Sequence, residues 1–276
     1  MPKKSAVHAN FKSKKFSFKN VVITCFDWIE QFLIKVADFS LFTARFFKEL
    51  FIPPFEWNEF VRQAYFIGNK SLFLVGITGF IMGLVLTIQS RPTLAEFGAE
   101  SWLPAMISVS IVREIGPVIT ALICAGKVGS GIGAELASMK VTEQIDAMEV
   151  SGINPFKYIV FTRILASSLM LPLLTIYSDF ISMLGSFVGV NIKGDSSFHL
   201  FFAQAFAEIS FMDVIPSLIK TLFFGFSIGL ISTYQGYTSN KGTEGVGQAA
   251  NTAVVISSLM VFIIDIVAVQ VTSIFL

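Results

Sequence analysis

The chain of 276 residues is 54% hydrophobic and 14% charged, with a net charge of +1 and a mean hydropathy of +0.72. Soluble domains run at roughly 45–50% apolar and 25% charged, so this composition excludes a soluble globular domain. The apolar runs are continuous rather than alternating with period two, which favours an all-α integral membrane protein over a β-barrel.

The near-neutral charge gives no reason to expect a nucleic-acid partner. Cys25 and Cys124 stand far apart without a CxxC and read as reduced, structural thiols. His8 and His199, in a tail and a loop, supply no metal site.

Residues 1–20 hold six lysines and no acid. The apolar run at 21–26 is too short for a cleavable signal and is stopped by Asp27. Such a start reads as a flexible, basic cytoplasmic tail touching anionic headgroups; an organellar transit peptide is the alternative. Over residues 21–52 the polar positions Asp27, Glu30, Gln31, Lys35, Asp38, Arg45, Lys48 and Glu49 follow a helical period and form one stripe. Charges this frequent predict a helix lying in the membrane interface rather than crossing it. Pro53 and Pro54 end it.

Residues 53–276 form the transmembrane domain. The stretch 55–70 leads into a first span at 71–90, twenty residues without a charge, enough for about 30 Å of helix. The second span, 103–125, is interrupted by Arg113, Glu114 and the Gly116–Pro117 pair. The third, 164–190, contains Pro172 and Asp179; the fourth, 214–234, contains Lys220; the fifth, 252–275, contains Asp265. Between the third and fourth spans, the loop at 191–213 predicts a small surface helix over its aromatic run. Eleven of the twenty lysines and arginines precede the first span. Lys127, Lys140, Lys157 and Arg163 gather around the loop after the second span, and Lys241 follows the fourth. Only Arg91 and Lys193 lie on the opposite side. The positive-inside rule then places the N-terminus in the cytoplasm and, with five spans, the C-terminus outside.

Candidate functional residues concentrate in 113–155. Gly126-Lys127-Val128 is not a phosphate-binding loop, because no Ser or Thr follows the lysine and Ala121 stands where the first glycine belongs. Gly129, Gly131 and Gly133 do not make a dinucleotide fingerprint either. Gly126, Gly129 and Gly133, with Ala137, fall at helical spacing and predict a smooth face for close helix packing.

Thr142, Glu143, Gln144, Ile145, Asp146, Met148 and Glu149 predict a short acidic helix. Thr142 serves as N-cap, the acids occupy the first turn, Ile145 and Met148 form a small apolar face, and Gly152 suits a left-handed stop. Too short to be stable alone, this helix either docks on a partner or rests as a loop helix on the membrane surface.

Arg113, Glu114, Asp179, Lys220 and Asp265 would each cost about 3 kcal/mol or more facing lipid, so they face the bundle interior. Two readings stand. They neutralise one another as structural pairs, or Arg113 and Lys220 present positive charge to an anionic headgroup.

Four runs carry a resemblance. They are Arg113-Glu114-Ile115-Gly116-Pro117-Val118, Ala125-Gly126-Lys127-Val128-Gly129-Ser130, Ala134-Glu135-Leu136, and Thr142-Glu143-Gln144-Ile145-Asp146-Ala147-Met148-Glu149. With Gly83-Leu84-Val85-Leu86, Gln89 and Gly245-Val246-Gly247, they resemble the MlaE/YrbE family of ABC-transporter permeases over about residues 55–276. Ala249-Ala250-Asn251 departs from the Ala-Thr-Thr often found there.

The resemblance implies a homodimeric, multi-pass permease of the cell inner membrane that moves phospholipid or a related lipid between envelope membranes. It also implies a separate cytoplasmic ABC ATPase that binds the ATP and magnesium, and a periplasmic MCE-domain protein. On this reading the helix at 21–52 is the elbow and residues 142–149 form the coupling helix. Arg113, Glu114, Lys220 and Asp265 are intramembrane charges of the family, and the C-terminus is periplasmic. The chain itself is expected to hold no cofactor or metal and to catalyse nothing.

One rival is an ion-coupled secondary transporter using Glu114, Asp179 and Asp265 as relays; it lacks paired inverted halves. Another is an intramembrane enzyme, for which no Ser/His pair, HExxH or ligand cluster is present.

Overall fold

The computed structural model describes residues 18–192, 194, 196–239 and 242–275. The basic start of the chain at 1–17, Lys193 and Lys241 lie outside the described residues. Eight helices follow in order: α1 Phe18–Leu50, α2 Trp57–Glu96, α3 Glu100–Val141, α4 Gln144–Val150, α5 Phe156–Asn191, α6 Phe198–Ala207, α7 Phe211–Tyr237 and α8 Gly242–Phe275. Among the described residues there is no strand. Helices α2, α3, α5, α7 and α8 are long and apolar enough to cross a membrane, in agreement with the five spans expected.

The chain divides into two units after Phe47. The first is α1 up to that residue, which exposes Leu33, Ile34 and Leu41 beside Lys35 and Asp38. The second unit holds everything from Lys48 onward.

Each spanning helix is longer than its charge-free run. α2 starts at Trp57 rather than near 71, because its polar first turns are satisfied along the helix itself. Arg62 and Gln63 both donate to Glu59 Oε1, at 2.8 and 2.7 Å, the i,i+3 and i,i+4 pairs a helix surface supports. Composition marks where lipid touches the helix; the backbone ladder continues past it.

α2 and α5 make the most extensive contact in the bundle, and the reason is small residues. Gly79 and Gly83 of α2 lie against Ser178 and Ser182 of α5, while Gly185 of α5 lies against the backbone of Phe80. With no Cβ between them the two backbones approach closely, as membrane helices do when lipid gives no hydrophobic drive to association. Buried hydroxyls join the seam, with Thr87 Oγ1 and Ser186 Oγ at 2.7 Å. The α5–α7 contact repeats the device: Ser167 donates to the Gly225 carbonyl at 2.9 Å and Ser168 to the Leu222 carbonyl at 3.1 Å.

The glycine ladder of α3 is only partly a packing face. Gly129 meets Ser232 of α7, and Gly133 meets Ala249 and Ala253 of α8. Gly126 meets nothing, and neither does Gly131. The physical cause is a π-helical turn at Ala125–Gly129. Its extra residue shifts the helical phase, so Gly126 leaves the face that Gly129 and Gly133 share. A second π-turn, Ile111–Ile115, precedes Pro117. Proline has no N–H to give the carbonyl of residue 113, and the wider turn absorbs that loss.

α6 is the small helix expected after the third span. Ser197 caps it, accepting from the Leu200 N–H at 3.3 Å, and Phe201 and Phe202 pack edge-on and tilted against Phe187 of α5. His199 lies in its first turn rather than in a loop. α8 is the least covered span: only 17% of its most apolar window is buried.

Candidate functional site

Three helices bring charge together inside the apolar layer. Lys220, on α7, is 5% exposed; its ammonium donates to Glu114 Oε2 of α3 at 2.7 Å and to Asp265 Oδ1 of α8 at 3.0 Å. The π-turn in α3 also carries Arg113, whose Nε donates to Asp213 Oδ1 at the start of α7. That guanidinium is half-exposed, and its terminal nitrogens make no hydrogen bond among the described residues. Four of the five interior charges predicted from sequence therefore gather in one place, each with an oppositely charged partner. A lysine held by two carboxylates is not a free cation; the open positive charge belongs to Arg113.

Sequence reading missed Asp213, assigning it to the loop before the fourth span. It is buried in the first turn of α7, where its Oδ2 accepts from the Ser210 backbone N–H at 2.8 Å and hydroxyl at 2.9 Å. One carboxylate thus caps α7 and orients Arg113. The Ser-x-x-Asp spacing at 210–213 is a capping-box signature and was the available signal. Asp179 of α5 does not join the cluster. Its Oδ1 is buried beside Gly116 with no hydrogen-bond partner among the described residues.

Lys220 of this cluster also borders a groove between α7 and α8. This groove holds about 700 Å³ and is lined mainly by apolar side chains, among them Ile219, Phe223, Ile263, Val267 and Val271, with Lys220 at its edge. A smaller cavity of about 200 Å³ adjoins it, with Arg113, Glu114, Asp213 and Ser217 among its lining residues. An apolar groove beside a charged recess suits an amphiphile with one polar end.

The acidic helix forms as α4, but its start differs from expectation. Thr142 does not cap it: α3 continues to Val141, and the Thr142 N–H and Oγ1 both bond back to the Ser138 carbonyl, at 3.0 and 2.8 Å. One residue is left to reverse the chain, and Glu143 does so in the left-handed region at φ 57°. Gly152 provides the expected stop at φ 78°, completed by Ile153 N–H to the Met148 carbonyl at 3.0 Å, a Schellman closure.

Ile145 is fully buried and Met148 half-buried, so the apolar face seats α4 on its own protein. The outer face presents Glu143, Gln144, Glu149 and Val150, the last 91% exposed. Asp146 is also exposed and accepts from Lys140 at 3.0 Å.

Comparison with known proteins agrees with these elements. Residues 60–271 match the family described as Permease MlaE. A probable ABC transporter permease protein of Rickettsia felis is 39% identical over 233 residues, covering 84% of this chain and 90% of the relative. A probable ABC transporter permease protein of Synechocystis is 36% identical over 230 residues, covering 83% and 86%. The intermembrane phospholipid transport system permease protein MlaE of Haemophilus influenzae is 33% identical over 208 residues, covering 75% and 80%. The match takes in the π-turns of α3, the charged cluster and α4 alike, and this all-α, multi-pass membrane chain belongs to the MlaE family of ABC transporter permeases.

Proposed function

We propose that this chain is the membrane subunit through which a phospholipid or related lipid passes between envelope membranes, driven by a separate ATPase. The observation that carries the reading is the apolar groove between α7 and α8, which shares Met212, Pro216, Lys220 and Thr272 with the recess that holds Arg113 and Glu114. Acyl chain fits the slot, and a polar headgroup meets the charged recess. The name of the Haemophilus influenzae relative supports the same substrate class.

In this reading residues 53–276 are the permease domain, residues 21–52 its elbow and residues 1–20 a cytoplasmic tail. The excess of lysine and arginine around α4 supports a cytoplasmic N-terminus, a periplasmic C-terminus and residence in the inner membrane. The outer face of α4, with Glu143, Gln144 and Glu149, seats on the ATPase, which alone binds ATP and magnesium. The broad uncovered face of α8 is where a second copy packs, so that two grooves share one cavity, and an MCE-domain protein continues the path on the periplasmic side.

One observation favours the ion-coupled alternative: the buried, unpartnered carboxylate oxygen of Asp179. A photoreactive phospholipid placed in membranes with the chain separates the two readings. Crosslinks concentrated at Phe223, Ile263 and Val267 support a lipid path. Labelling spread evenly over every lipid-facing helix would refute it.

A further inference from the structure

A second cavity, about 370 Å³, opens between α2 and α3 away from the ionic cluster. Gln63, Phe66, Lys70 and Ser71 line it from α2, and Lys127 and Gly131 from α3. Its depth in the bilayer follows from α2. Between Lys70 and Arg91 the helix carries no charge over a rise of about 31 Å, matching a hydrocarbon core of about 30 Å. Lys70 therefore marks the headgroup level on the side of the membrane that carries α4. Lys127 stands at the same level, because its ammonium donates to the Lys70 carbonyl.

Neither lysine has a carboxylate partner among the described residues. Lys70 rests over the Phe66 ring at 3.6 Å from its centroid, and Lys127 has only that carbonyl. Glu135 also lines the cavity, but its carboxylate is taken by Arg163 at 2.7 Å. Ser71 is fully buried, and its hydroxyl has no hydrogen-bond partner among the described residues. A hydroxyl orphaned beside two unneutralised ammonium groups, at headgroup depth and next to apolar wall, is a set of donors without an acceptor.

The geometry points to a binding site for the phosphate of an anionic phospholipid in the leaflet on the α4 side, distinct from the groove between α7 and α8. Lys70 and Lys127 supply the charge, Ser71 the hydroxyl, and the wall around Phe66 and Ile132 receives the glycerol and first methylenes. Basic pockets between membrane helices hold lipid headgroups in this way. The phosphate must come from a lipid rather than from solution, because the apolar wall adds affinity only for a ligand with chains.

The test is native mass spectrometry of the full chain released from nanodiscs of phosphatidylglycerol or of phosphatidylcholine. Retention of phosphatidylglycerol, reduced about thirty-fold in a K70Q/K127Q variant at about a factor of five per lysine, supports the site. The same retention surviving in the charge-neutral triple variant Lys220→Met, Glu114→Gln, Asp265→Asn separates it from the ionic cluster. Gly131→Leu is a second variant, since a Cβ there has no atom within 4 Å and the position lines the cavity; it occupies the cavity while keeping both lysines, and loss of the lipid with normal expression is expected. Equal retention of the two lipids, loss only in that triple variant, or a cavity covered by a second copy would overturn the proposal. Displacement by millimolar inorganic phosphate would overturn its lipid character.

Discussion

Lys220 of α7 and Glu114 of α3 meet at 2.7 Å across 106 residues of sequence, and Asp265 of α8 completes the contact at 3.0 Å. One ammonium thus ties three spanning helices at a single depth. Breaking such a buried group by removing one partner leaves the other charges uncompensated, at a cost of about 3–5 kcal/mol. Because Glu114 is 46% exposed, the lower end of that range applies here.

Lys220→Met should therefore lower the thermal midpoint of the purified chain sharply. The triple variant Lys220→Met, Glu114→Gln, Asp265→Asn removes all three charges and should recover most of the loss, since neutral isosteres leave no unpaired ion. Lipid transfer should stay impaired in the triple variant. If transfer returns along with stability, the cluster only holds the bundle together.

Arg113→Gln tests the open cation separately. Asp213 keeps its two bonds from Ser210, so α7 remains capped, but the carboxylate is buried and loses its counter-ion, and stability should fall by about 1–3 kcal/mol. Crosslinking of an anionic photoreactive lipid should fall several-fold. A fall in expression equal to the fall in crosslinking would assign Arg113 a structural part alone.

Close helix approach gives a contrast between glycines. A Cβ at Gly83 runs into the Ser182 backbone, and one at Gly185 into that of Phe80. Alanine at either position should cost of order 1–3 kcal/mol by overpacking, read as a lower thermal midpoint in detergent. Gly126→Ala, facing open space, should be neutral or slightly stabilising.

The two faces of α4 should respond differently. Ile145→Asp puts a charge in a fully buried position and should reduce the amount of folded chain in the membrane. Glu143→Lys with Glu149→Lys changes only the exposed face; folded chain should persist while co-purification of the ATPase drops at least ten-fold. Unchanged co-purification would place the ATPase contact elsewhere.

Hydropathy carried the five spans because lipid selects composition directly, yet it stopped short of helix ends that solvate themselves, as Glu59 with Arg62 and Gln63 does in α2. The five charges within the spans were legible as interior residues, since each is costly in lipid; which acid meets which base was not, because that depends on how α3, α7 and α8 pack. Asp213 was hidden by its place beside a loop. The glycine ladder misled at Gly126 because helical spacing assumes 3.6 residues per turn, and a π-turn breaks that phase. The α2–α5 seam was present as Gly79, Gly83, Ser178, Ser182 and Ser186 at spacings of four, a small-residue pattern as plain as the ladder but outside the stretch that drew notice. In α4 the helical residues 144–149 were legible and the cap was not, because α3 runs on past its apolar stretch to Val141 and Thr142 closes that helix instead of opening the next.

The central claim is that this bundle takes its motion from an ATPase pressing on α4. Phospholipid transfer from sealed proteoliposomes measures it most directly, with the chain present alone or together with its ATPase. Transfer that requires both ATP and the ATPase, and that is lost with the Glu143→Lys, Glu149→Lys variant, is the predicted result. Transfer by the chain alone under an imposed proton or sodium gradient, unaffected by that variant, would contradict it.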